Sequence, residues 1–216
     1  MARLRLGVLI SGRGSNLQAL IDSCRRPDFP AEMACVISNV PGVHGLERAR
    51  QACVPAVAIP HKAYPSRESF EAELTRMLRA HDVDLVCNAG FMRILTAAFL
   101  ADWPDRVINI HPSLLPAFPG LRTHEQAIEM GCRFSGCTVH FSREVVDAGP
   151  IIVQAVVPVR PDDTPDTLAE RVLAEEHRIY PLAVRWLAEG RVRLDGPRAI
   201  VEGVEAPSGV LINPAG

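Results

Sequence analysis

The sequence predicts an α/β protein with a mostly parallel, twisted sheet and helices on both of its faces. Two observations lead there. Apolar runs of strand length alternate along the chain with stretches of helical periodicity. Those runs are apolar at almost every position rather than at every second one, as in strands covered on both faces. In open sheets of this kind ligands lie beyond the carboxyl ends of the strands. The residues just after each strand therefore carry most of the functional weight.

Taken in order, "RLGVLI" is a buried strand, and Asn16 to Arg26 is a helix with Leu17, Leu20 and Ile21 on one face. "EMACVIS" is a second strand, followed by a turn at "NVPGVHG" and a short helix from Leu46 to Ala52. "VPAVAIP" supplies a third strand. Ser66, after Pro65, is the N-cap of a helix running to about His81, with Phe70, Leu74, Met77 and Leu78 inward. "VDLVCNA", "RVINI", "GCTVHF" and "PIIVQAVVPV" are later strands. Thr164 with Pro165 opens the last helix. The α/β rhythm breaks at "GPRAIVEGVEAPSGVLINPAG", so residues 1–195 are expected to form the main domain and 196–216 a hairpin or irregular tail.

Composition narrows the function. The chain has 216 residues, and 48% of them are hydrophobic, enough for a substantial core. Its 23 basic and 25 acidic side chains give a net charge of −2, which argues against a protein held to nucleic acid by phosphate neutralisation. A single local anion site remains compatible with that balance. The six cysteines form no C-x-x-C pair and several lie in apolar runs, the pattern of reduced core thiols in a cytoplasmic protein. The basic start "MARLRLGVLISG" is too short in its apolar part for a signal sequence. No run approaches a membrane span, so neither membrane nor nucleic acid is an expected partner.

Five segments could carry chemistry. "SGRGSNLQALID" links the first strand to the first helix, and its Gly14, Ser15 and Asn16 stand where unpaired N–H groups favour an anion. It is neither a Walker loop nor a dinucleotide fingerprint, because no G-K-[ST] follows and Leu17 replaces the third glycine. A plain tight turn explains it as well. "NAGFMRIL" also follows a strand, and reads either as helix-start packing or as a flat apolar slot for an aromatic ring. In "VINIHPSLLPAFPG" alternation puts Asn109 and His111 on one face and Ile108 and Ile110 on the other, and the prolines stiffen the loop that follows. An amide donor beside a proton carrier suits a reaction that develops charge on a carbonyl oxygen, although a strand-end histidine is also a common structural group. Asp147 in "VVDAGP" sits in a Gly/Pro turn that its own side chain could simply stabilise. On the last helix, Glu176 interrupts the apolar stripe Leu168, Val172, Ile179, Ala183 and Trp186. A carboxylate there is costly unless something polar meets it.

Together the segments "LISGRGSNLQALID", "SNVPGVHGLERA", "AGFMRIL", "NIHPSLLPAFPGLRTHEQA", "GCTVHF", "DAGPIIVQA" and "EEHRIYP" resemble, in order, the glycinamide ribonucleotide formyltransferases, folate-dependent enzymes of purine synthesis. The resemblance spans roughly residues 5 to 190 and implies a Rossmann-like formyltransferase fold. It implies that Gly14, Ser15 and Asn16 hold the phosphate of glycinamide ribonucleotide and that Glu176 faces its ribose. It places Met92, Arg93, Ile94 and Leu95, with Arg143, Glu144, Val145 and Val146, around the pterin of 10-formyltetrahydrofolate, the co-substrate, and Arg67 near the folate's outer portion. Asn109, His111 and Asp147 match the family's catalytic trio. "SREVVD" differs from the acidic loop common in that family.

The mechanism implied is direct acyl transfer without metal or covalent enzyme intermediate. The substrate amine attacks the formyl carbon, Asn109 and protonated His111 stabilise the oxyanion, and Asp147 keeps His111 charged and passes the proton on through water. A formyltetrahydrofolate hydrolase would share the trio but normally carries an N-terminal regulatory domain. A methionyl-tRNA formyltransferase would need a C-terminal RNA-binding domain and more basic charge. A non-catalytic nucleotide-binding module would need the anion loop but not the trio. The expected assembly is a monomer or homodimer acting on small molecules in the cytoplasm.

Overall fold

The computed structural model describes residues 2–205 and 207–214. In chain order its elements are β1 (Leu4–Ile10), α1 (Ser15–Cys24), β2 (Ala31–Ser38), α2 (His44–Gln51), β3 (Ala56–Ala58), a 3-10 turn (His61–Ala63), α3 (Arg67–Ala80), β4 (Leu85–Asn88), α4 (Ala97–Asp102) and β5 (Val107–His111). There follow α5 (Thr123–Glu129), β6 (Phe134–Phe141), β7 (Ile151–Pro158), α6 (Pro165–Ala188), β8 (Val192–Asp195) and β9 (Arg198–Val201). Seven strands form one sheet in the order β3-β2-β1-β4-β5-β6-β7. The first five in that row are parallel, and β6 and β7 join antiparallel.

Each face of the sheet has its own apolar core. Val8, Ile10, Cys87, Ile108 and Ile110 point to one side, where Leu17 and Leu20 of α1 and Leu168, Val172 and Tyr180 of α6 pack on them. Leu9, Ile37, Val86 and Val107 point to the other, against Phe70 and Leu74 of α3 and Phe99 of α4. Register carries this second row onward: Asn88 lies opposite Asn109, and Asn109 opposite His140. The face that is apolar under α3 and α4 thus turns polar toward the carboxyl ends of β4 and β5. Burial pushes the thiols of Cys35 and Cys137 up to about 12, so these cysteines behave as small hydrophobes.

The long helices begin where their sequence signals stand. Ser66 Oγ accepts from Ser69 N and Thr164 Oγ1 accepts from Thr167 N, each in a reciprocal capping box contributing about 1 kcal/mol. Other boundaries differ from expectation. The first helix spans Ser15–Cys24 rather than 16–26, the second opens at His44, and β3 keeps only three residues. Helices α4 and α5 were not anticipated. The first is capped by Thr96 but has only six residues, too few to show a helical period, and the second is entered from Arg122 in the left-handed region (φ 56°) with no side-chain cap. The hairpin β8–β9 begins at Val192, before the expected boundary at 196. Of that expected tail, Ala206, Ala215 and Gly216 lie outside the described residues.

Candidate active site

At the carboxyl end of β1 the chain enters the glycine loop. Gly14 adopts φ 71°, and a Cβ there would stand 2.8 Å from the Cα of Gly45, so this position admits no side chain. Gly45 N donates to Gly12 O (3.0 Å) and Arg48 Nε donates to Arg13 O (3.0 Å), which fixes the loop from the α2 side. The N–H groups of Ser15, Asn16 and Leu17 face outward from the first turn of α1, whose earliest helical bond is Gln18 N to Gly14 O. Asn16 Nδ2 donates to Glu176 Oε2 at 2.7 Å. Glu176 is 6% exposed, and burial raises its carboxyl above the usual range while the Asn16 bond opposes that shift. Buried polar atoms with no protein partner gather here: Asn16 Oδ1 and, one residue beyond Glu176, His177 Nε2. Groups left this way suit a ligand that brings its own donors and acceptors.

The second cluster lies where β5 ends. His111 Nε2–H donates to the carbonyl of Phe118 at 2.9 Å, so Nδ1 is the nitrogen turned toward Asp147, with Oδ2 at 3.4 Å. The Phe118 carbonyl is held by a loop tied to the sheet. Ser113 Oγ donates to Ala117 O, Thr138 Oγ1 donates to Ser113 O, and Gln154 Nε2 donates to Leu115 O. Asp147 has φ 56°, a strained left-handed conformation that Asp and Asn tolerate best. Its Oδ2 also accepts from Gly120 N at 2.8 Å. The turn that delivers it crosses tightly over β6, because a Cβ on Gly149 would lie 1.7 Å from Phe141 O.

His140 joins this cluster, although the sequence marked it only as a residue of its strand. It is 2% exposed, its Nδ1–H donates to Phe141 O at 3.0 Å, and its Nε2 faces Asn109 Nδ2 at 3.3 Å and Asp147 Oδ1 at 3.6 Å. Burial holds its pKa below the usual 6.5, against the opposing pull of the Phe141 bond and Asp147. A neutral ring protonated at Nδ1 presents a lone pair at Nε2 to Asn109. That aims one N–H of the amide at His140 and leaves the other free to donate elsewhere.

A cleft of about 550 Å³ opens over these side chains, within the usual size range for a small-molecule site. Met92, Arg93, Ile94 and Leu95 form one wall, and Arg143 and Val146 stand across from it. Asn88 Oδ1 and His124 Nδ1, both on residues that line it, are buried without partners. Burial, and then nearby His111, lower the pKa of His124. Of the residues expected around the folate, Glu144 instead lines a shallow groove with Trp103 and Asp105, where Arg143 Nη2 bonds Asp105 Oδ1 at 2.6 Å. Val145 is exposed, and Arg67 is exposed on the first turn of α3 outside the cleft lining. Phe91 and Leu95 are largely core residues, and only Met92 and Ile94 project from this segment.

Known proteins share this sequence and this fold. The family described as formyl transferase matches residues 4–184. A trifunctional purine biosynthetic protein of Drosophila melanogaster is 55% identical over 190 residues, 87% of this chain, although the chain spans only 14% of that relative's length. The phosphoribosylglycinamide formyltransferase of Escherichia coli (strain K12) is 44% identical over 94% of this chain and 96% of its own. The crystal structure of glycinamide ribonucleotide transformylase 1 from Symbiobacterium toebii superposes with a TM-score of 0.90 at 53% identity, covering 92% of this chain and 94% of that one. With that much of its sequence and fold held in common, this chain belongs to the formyl transferase family.

Proposed function

We propose that this protein transfers the formyl group of 10-formyltetrahydrofolate to the amine of glycinamide ribonucleotide, a step of purine biosynthesis carried out in the cytoplasm. One observation carries the reading: Asn109, His111 and Asp147 line one cleft with apolar walls and unpartnered polar atoms, at the sheet edge where the glycine loop also leaves β1. The glycine loop and α1 N-terminus hold the phosphate, and Glu176 accepts from the ribose hydroxyls. The cleft receives the pterin between Met92–Leu95 and Val146, which brings the formyl carbon to the carboxyl end of β5.

Transfer needs donors where charge develops and a route for one proton. The free N–H of Asn109 and the Nδ1–H of His111 donate to the formyl oxygen as the amine adds. At 3.4 Å from Asp147, Nδ1 is not fully engaged and can share its proton with that oxygen. Phe118 fixes the imidazole plane through Nε2, and His140 fixes the Asn109 amide. Asp147 takes the proton of the attacking amine and returns it, through water, to the departing folate nitrogen. The deciding assay uses purified protein and 10-formyl folate with and without glycinamide ribonucleotide. Formyl loss only with the acceptor supports the transferase. Loss without it favours a hydrolase, and no loss in either case leaves a nucleotide-binding module.

A further inference from the structure

The segment from Met92 to Leu95 forms a wall of the cleft yet belongs to no helix or strand. Among the described residues its backbone makes a single hydrogen bond to the protein, Met92 N donating to Ser11 Oγ at 2.8 Å. The next residue, Thr96, is held in the same manner. Its N–H donates to Glu71 Oε1 at 3.0 Å and its hydroxyl donates to Glu71 Oε2. Both anchors are themselves fixed. Ser11 Oγ donates to Asn39 Oδ1 at 2.5 Å, and Ser11 N donates to Gly90 O at 3.1 Å. Glu71 is 4% exposed on α3, and its neighbour Phe70 stacks on Phe91 with ring centroids 6.5 Å apart.

From this arrangement we infer that Ser11 and Glu71 are positioning residues that stretch Met92–Leu95 between two side-chain clamps, so that its unpaired backbone groups meet the heterocycle of the bound folate in a preset geometry. The inference rests on the folate reading above and adds residues outside the cleft to it. A carboxylate buried under a helix is costly unless its bonds return something, and here both of its oxygens are spent on Thr96. Thr96 is also the N-cap of α4, its Oγ1 accepting from Phe99 N, so the carboxylate stops the wall at one fixed point. At the other end, Ser11 is the residue that leads into the nucleotide loop. One hydroxyl therefore sets the folate wall in register with the phosphate site. An untethered loop would have to be ordered at the moment of binding, which lowers affinity.

The test compares Ser11→Ala, Glu71→Gln and the double variant for Kd of tetrahydrofolate, KM of each substrate, kcat and thermal midpoint. Each single change is expected to raise the tetrahydrofolate Kd and the formyl folate KM about 10-fold while the glycinamide ribonucleotide KM stays within about twofold. In the double variant the Kd should rise about as much as in one single variant, since a segment loose at one end is already out of place. Ser11→Thr, which keeps the hydroxyl, should restore most of the affinity. Folate constants within about twofold of the parent in both single variants, whatever their thermal midpoints, would show that these groups serve stability alone. The same holds if both KM values rise in parallel. A parent protein that binds no tetrahydrofolate overturns the functional reading and the clamp together, whereas a parent that binds it and variants that match it overturn only the clamp.

Discussion

The two ends of this active site are built on opposite principles. At the nucleotide end α1 and α6 close over the sheet, and the polar groups that remain, Asn16 and Glu176, are bonded to each other below the surface. At the catalytic end the covering helices stop, and a row of polar side chains along β4, β5 and β6 is open to a cleft. The contrast teaches that recognition and chemistry draw on different resources. On the proposed function, the first uses helix N-terminal donors and one buried carboxylate held by packing. The second uses side chains whose orientation is fixed one hydrogen bond at a time, by Phe118, Gly120 and Phe141 of the main chain.

If that division is right, the largest losses come from the catalytic end and leave nucleotide binding intact. Asp147→Asn keeps the shape and the left-handed backbone but removes the proton acceptor, so kcat should fall about 10³-fold with the glycinamide ribonucleotide Kd unchanged. Steady-state kinetics beside direct binding of the nucleotide would check this, and a parallel loss of both would break the comparison. Next come Asn109→Ala and His111→Ala, each expected to lower kcat about 10²-fold through loss of a donor to the developing oxyanion. His140→Gln should cost about 10-fold in kcat, because its Nε2 aims the Asn109 amide and stands beside Asp147 without being a donor to the oxyanion.

At the nucleotide end Glu176→Gln should raise the glycinamide ribonucleotide KM about 10-fold with kcat nearly preserved, while stabilising the free protein. The sign follows from burial. The folded state holds the Glu176 proton above the ordinary 4.5, so its contribution is present below that value and lost as pH rises through the folded pKa. The variant's thermal midpoint should therefore exceed the parent's by more at pH 8 than at pH 5.

The smallest effect belongs to the histidines. His140, His124 and His177 all titrate below the ordinary 6.5 in the folded chain, each chiefly through burial. Their contribution is complete above about pH 6.5 and is lost as the unfolded chain takes up protons below it. Urea midpoints should fall from pH 8 to pH 5, and His140→Gln should flatten part of that slope.

Much of this arrangement was legible before the fold was known, and what was missed has physical reasons. Side-chain alternation alone put Asn109 and His111 on one face, and the break in an apolar stripe singled out Glu176. Both signals are periodic and need no tertiary information. His140 escaped notice because a buried histidine within "GCTVHF" resembles any satisfied core residue until its neighbours on β5 are known. Asp147 was read as a turn residue with a chemical alternative, and it is a turn residue that also faces His111. Arg67 was singled out by resemblance alone. It stands exposed at a helix start outside the cleft lining, a place that no periodic pattern marks. Ser11 and Glu71 had no sequence signal, since each acts on a segment distant along the chain.

The bond between Asn16 and Glu176 joins residues 160 positions apart, and Tyr180, one turn later, donates its hydroxyl to the carbonyl of Asn88. The contacts that set His111, Asn109 and Asp147 span 7, 31 and 27 positions. During synthesis, then, the catalytic edge can assemble from chain that has already emerged, while the nucleotide end waits for α6. On the proposed function, recognition of the acceptor would be among the last properties a nascent molecule acquires, and a chain stalled before α6 would carry the edge of β5 without Glu176.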